Sequence, residues 1–187
     1  MRRFGFTSQV LAGVAVAFIV LAVPERIAMA APQDTLATSK PSGAIGLGDK
    51  PVRVVLRDGT GAPAPLAVLR KRPSGKSLHL VLKGLAAAQQ PGVIYNLYLG
   101  APPDGAPAED PRHVGSFNFF AAVPLPGADR SRDAGDSTAY SFEITDLADA
   151  LQRRGLLAEP FSVTIIPEGT PTAGAKPVIG EIALVAE

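Results

Sequence analysis

His79 and His113 are the two imidazoles of this 187-residue chain, and cysteine is absent. A metal centre needs several nitrogen, oxygen or sulfur donors converging on one point. The two histidines fall on different predicted strands, and neither has an acidic or sulfur ligand grouped with it. No metal and no cofactor is expected. Ser116, beside Gly115, has the right atom for a nucleophile, but no Gly-x-Ser-x-Gly elbow surrounds it. His113 is three residues upstream, and on a strand with alternating side chains the two should face opposite ways. The paired carboxylates, Glu109 with Asp110 and Asp133 with Asp136, fall in loops without the regular spacing of a calcium loop. Gly46 and Gly48 lie ahead of the first expected strand, the wrong context for a dinucleotide turn. The expectation is a protein that is not an enzyme.

The elements around these groups are short strands. Residues 93–99 (Val-Ile-Tyr-Asn-Leu-Tyr-Leu) and 113–120 mix aromatic and branched side chains in runs bounded by Gly and Pro, as neighbouring strands do. The inward set of the first run is either Ile94, Asn96 and Tyr98, or Val93, Tyr95, Leu97 and Leu99. The second is more apolar and is taken as the core face. In 52–57 Val52, Val54 and Leu56 alternate with Arg53 and Arg57, which gives a sheet one solvated side. Leu78, Leu80 and Leu82 share a face, as do Tyr140, Phe142 and Ile144. A short strand is expected at 66–69, and two more at 161–166 and 178–185. Residues 101–111 are proline-rich and form a surface loop, since proline offers no ladder donor. Thr145 has the chemistry of a helix N-cap, Asp146 suits the first turn, and Gly155 suits a left-handed stop. Leu147, Ala148, Ala150 and Leu151 make the apolar stripe of that helix.

About seven or eight strands at spacings of roughly 8–12 residues, with one short helix, point to an all-β fold. No helix is large enough to cover the apolar strand faces, so two antiparallel sheets must cover each other in a jelly-roll-like β-sandwich. Ahead of it, residues 1–30 have the plan of a secretory leader: Arg2 and Arg3, an apolar run over 10–23, and a small-residue site at Ala28-Met29-Ala30. The apolar run is shorter than the roughly 20 residues a spanning helix needs, so export with cleavage is favoured over a retained anchor. The destination is the periplasm or the extracellular space, with no membrane association after cleavage. Residues 31–50, rich in Ala, Ser, Thr, Pro and Gly, are expected to be a flexible linker, and 51–187 the folded domain. The chain carries 18 basic and 17 acidic side chains; without Arg2, Arg3, Arg26 and Glu25 these become 15 and 16. A near-neutral domain gives no reason to expect a nucleic-acid partner. Arg70-Lys71-Arg72 is the one positive run.

Five pieces of the sequence also resemble a known family in order and spacing. They are Tyr95-Asn96-Leu97-Tyr98 within 94–100, Val114-Gly115-Ser116-Phe117, Glu143-Ile144-Thr145-Asp146-Leu147, Val163-Thr164-Ile165-Ile166-Pro167, and Ile179-Gly180-Glu181-Ile182. Together they resemble the C-terminal domain of plant-type polyphenol oxidases (tyrosinase and catechol oxidase), whose namesake motif is Lys-Phe-Asp-Val. The lysine and aspartate of that motif are not kept here, and the copper domain that normally precedes it is absent from this sequence. The resemblance implies a β-sandwich without copper ligands that packs over the entrance of a dicopper site and keeps the enzyme latent. It further implies a separately encoded type-3 copper oxidase as partner, with Tyr98, Phe119 or Phe120 as an aromatic plug or contact. The alternative is a stand-alone cell-envelope or carbohydrate-binding module, which an exposed row of aromatics on one sheet would favour.

Overall fold

Where apolar and polar side chains alternate, the chain is extended. In the computed structural model the described residues are 34–103, 106–123 and 138–187, and they form ten strands. The expected leader and the Asp133/Asp136 pair lie outside the described residues. The strands are β1 (Asp34–Thr38), β2 (Ile45–Gly46), β3 (Val52–Val55), β4 (Leu78–Lys83), β5 (Tyr95–Leu99), β6 (His113–Phe117), β7 (Tyr140–Glu143), β8 (Ser162–Pro167), β9 (Val178–Ile179) and β10 (Glu181–Ala186). One α-helix, α1 (Thr145–Arg153), follows β7. No described helix is long and apolar enough to cross a membrane.

Every pairing is antiparallel. One four-stranded sheet has the order β1-β10-β4-β7, the other β3-β8-β5-β6, and β2 pairs with β9 apart from both. Leu78, Leu80 and Leu82 of β4, with Ile182 and Leu184 of β10, share one core with Val54, Tyr95, Leu97, Leu99, Val163 and Ile165 of the other sheet. Each fully buried aliphatic contributes about 1.5–3 kcal/mol. This shared core makes the fold an all-β antiparallel sandwich. The more apolar set of β5 does face inward, with Val93 partly buried beside it.

Three expectations give way. Residues 34–50 are not a linker: β1 pairs with β10, Ala37 and Ser39 are buried, and Ile45 and Leu47 join the core. Ser39 Oγ accepts the Ile182 N–H at 2.8 Å. Backbone pairing holds this segment, so its weak apolar signal was misleading. Residues 66–71 form a 3-10 helix, Leu66–Lys71, whose first N–H is accepted by the Glu159 carboxylate. Thr145 is the first residue of α1, with Ile144 at the cap position, and its Oγ1 accepts the Leu78 N–H at 2.8 Å. Its hydroxyl ties the helix start to β4 instead of capping the helix.

Candidate interaction site on the β5–β6 ladder

β5 and β6 carry the first two of the five motif pieces, and their register is broken once. Tyr95 faces Phe117, Asn96 faces Ser116 and Leu97 faces Gly115, but Tyr98 faces His113. Val114 is therefore the extra residue of a β-bulge, and an extra residue reverses the alternation beyond it. His113 and Ser116 consequently share the outer face, contrary to the sequence expectation. Gly115 is needed in this stretch for space. A Cβ there would lie 2.7 Å from the Phe142 ring of the opposite sheet.

On that outer face Ser116 Oγ donates to Asn96 Oδ1 at 2.6 Å and lies 3.5 Å from His113 Nε2. The histidine contact is too long for a strong hydrogen bond. The serine proton is directed at the amide, and among the described residues no carboxylate is bonded to His113. Polar groups are brought together here, but not as a nucleophile, base and orienting acid. His79 lies on β4 of the other sheet, with Ser141 Oγ at 3.3 Å from its Nδ1. No group of three metal-ligating side chains occurs among the described residues.

The three candidate plug residues separate clearly. Tyr98 lies outward on its strand yet is fully buried, because residues 106–112 fold over it. Its hydroxyl donates to the Ala106 carbonyl at 2.9 Å, with the Pro107 carbonyl at 3.3 Å. Its ring packs against His113, centroids 5.3 Å apart. Arg112 pairs with Asp110 at 3.2 Å and also reaches the Leu156 carbonyl, which pins the loop down. Burial raises the Tyr98 pKa, and the Asp110, Glu109 and Glu168 carboxylates add to the rise. Phe119 is also buried, its ring edge-on to Tyr95 at 5.5 Å and tilted against Phe117 at 6.0 Å. Neither ring is presented to a partner.

Phe120 is. It is 81% exposed and, with Ile94 at 46%, it is one of the two exposed large apolar side chains among the described residues. β6 ends at Phe117, and the chain turns into a 3-10 helix, Phe120–Ala122. Asn118 Oδ1 accepts the Phe120 N–H at 3.0 Å, and Gln90 Nε2 donates to the Phe119 and Phe120 carbonyls at 3.3 and 3.0 Å. Tyr140 donates to the Asn118 carbonyl at 3.1 Å. An exposed ring thus rises from a backbone gripped by three neighbours. The register places Ile94 next to the Tyr95–Phe117 pairing, at the same end of the ladder. Gln90 and Asn118 were missed in the sequence, where nothing marks an amide as the support of a turn.

No curated protein matches this chain. Among solved structures, latent apple tyrosinase is similar at 18% identity and a TM-score of 0.48, over 79% of this chain and 28% of that one. Recombinantly expressed latent aurone synthase (polyphenol oxidase) is similar at 17% identity and a TM-score of 0.41, over 76% and 25%. Latent aurone synthase from natural source gives 15% and 0.40, over 74% and 24%. The chain spans about a quarter of the length of those proteins. The family model described as Domain of unknown function (DUF7868) matches residues 36–187, taking in β1 from Leu36 onward, and the chain belongs to that family.

Proposed function

We propose that this chain is an exported, non-catalytic β-sandwich protein that works by contact, shielding a separately encoded type-3 copper oxidase of the tyrosinase or catechol oxidase kind. Phe120 carries the reading. A large exposed ring on a hydrogen-bonded turn reaches a partner's apolar entrance without first paying to order itself. The ordered motif pieces at 94–100, 114–117, 143–147, 163–167 and 179–182 supply the class of partner. A leader over 1–30 would carry the chain to an oxidising compartment. The row of exposed aromatics that a carbohydrate-binding module would favour is not found among the described residues.

The test is to mix the purified chain with a matching secreted copper oxidase and follow catechol oxidation. Saturating wild-type chain should lower the rate, and Phe120→Ser should lose most of that effect while keeping its thermal transition. An unchanged rate at saturating wild-type chain overturns the proposal.

A further inference from the structure

The loop that leads into β9 carries the one non-glycine residue with a left-handed backbone among the described residues, Lys176 at φ 46°. A side chain costs energy there and glycine does not. Gly169 and Gly174 of the same loop, at φ 105° and 80°, show what such positions ordinarily hold. A lysine kept in their company points to a use for its side chain.

Lys176 lines a cavity of about 270 Å³. β2 and β9 pair Ile45 with Ile179 and Gly46 with Val178, and the Leu47 N–H donates to the Pro177 carbonyl at 2.9 Å. The cavity lies at the end of that ladder, lined from 47–49 on one side and from 170–177 on the other. Leu47, Ala175 and Pro177 are buried and make an apolar floor, whereas Asp49, Thr170 and Lys176 are exposed and leave the mouth open to solutes. The second wall is fastened to residues 88–91. The Thr172 N–H and hydroxyl both donate to the Pro91 carbonyl, at 2.7 and 3.0 Å. Gln89 Nε2 donates to the Ala173 carbonyl at 2.7 Å, and the Ala88 N–H to the Ala175 carbonyl at 2.8 Å. A wall held this way has little freedom left to lose on binding.

Asp49 and Lys176 are the two charged side chains of the cavity, opposite in sign. Neither forms an ion pair among the described residues, with the other or with any neighbour. Exposed charges ordinarily need only water. These two stand unbridged over a shared apolar floor, and a ligand bearing both charges completes the arrangement.

We infer that the cavity takes a small zwitterion, an α-amino acid with a short apolar side chain. Its carboxylate would meet Lys176, its ammonium Asp49, and its side chain the floor of Leu47, Ala175 and Pro177. Hydrogen bonds between charged groups are the strong ones. The volume is near the lower bound of about 300 Å³ for ligand pockets and suits a molecule of that size.

The experiment is calorimetric titration of the intact chain with L-valine, N-acetyl-L-valine and L-valinamide. L-valine should bind saturably, and each derivative, lacking one charge, more than tenfold more weakly. Lys176→Gly should weaken L-valine binding more than tenfold and raise the thermal midpoint, because glycine relieves the backbone. Asp49→Asn, an exposed change, should weaken binding as much and leave the midpoint in place. Absence of saturable L-valine binding by the wild-type chain overturns the inference. So does a derivative that binds as tightly as L-valine, or L-valine binding that either variant leaves unchanged.

Discussion

Tyr95 and Tyr98 are three residues apart on β5, point to opposite faces, and are both fully buried. The protein buries them by different means. Tyr95 faces the space between the sheets, stacked on Phe117 at 5.6 Å and edge-on to Phe119, and its hydroxyl has no partner. Tyr98 faces outward, and its hydroxyl is held by two carbonyls of the loop laid over it. One position needs a ring; the other needs a ring and a donor. A core built by burial tolerates a polar atom it does not use, whereas a loop docked on a sheet depends on that atom to stay there.

The largest effect should come from emptying the inner site. Tyr95→Ala is expected to cost about 3–5 kcal/mol in urea unfolding, as truncating a buried aromatic does. A loss below that of Tyr98→Phe would break the comparison. Tyr98→Phe should cost about 1–3 kcal/mol, since it strands the Ala106 and Pro107 carbonyls, and amide exchange in residues 106–112 should quicken. Tyr95→Phe should be neutral or stabilising by up to about 1 kcal/mol, because it removes a hydroxyl that is buried without a bond. Both phenols are raised above the ordinary value of 10.0, Tyr95 by burial and Tyr98 by burial and then its acidic neighbours. Above pH 10 the unfolded chain releases these protons while the folded one keeps them. Stability is therefore full below pH 10 and falls as pH rises through the folded values. Each Tyr→Phe change should flatten that decline in unfolding midpoints measured at rising pH. The smallest effect is expected at Phe120→Ser, within about 0.5 kcal/mol of wild type, as for an exposed side chain.

The alternation of β3, β4, β5 and β7 was legible because each has one core face, and sheet pairing leaves that pattern intact. The segment at β1 was not. Asp34-Thr-Leu-Ala-Thr38 has little to bury, and its place depends on backbone bonds to β10, which leave no mark on composition. At the candidate site the ladder residues and the facing of β5 were found, but the facing of His113 on β6 was missed. One additional residue, Val114, reverses the order of sides, and nothing in the letters distinguishes a bulge from a regular strand. The burial of Tyr98 was hidden for another reason. The described residues of the proline-rich loop do lack ladder pairing, as expected, yet they pack onto the sheet through side-chain bonds. Phe119 and Phe120 are adjacent in sequence, and the turn that separates their fates is set by the amides of Gln90 and Asn118.

β10 occupies an inner slot of its sheet, between β1 and β4, although it is made after every other described strand. While a ribosome is still translating this protein, β1 and β4 have no strand to join them, and each leaves an edge open. That half of the sandwich is assembled only after synthesis reaches residues 181–186, so nascent chains must be kept from pairing with one another until then.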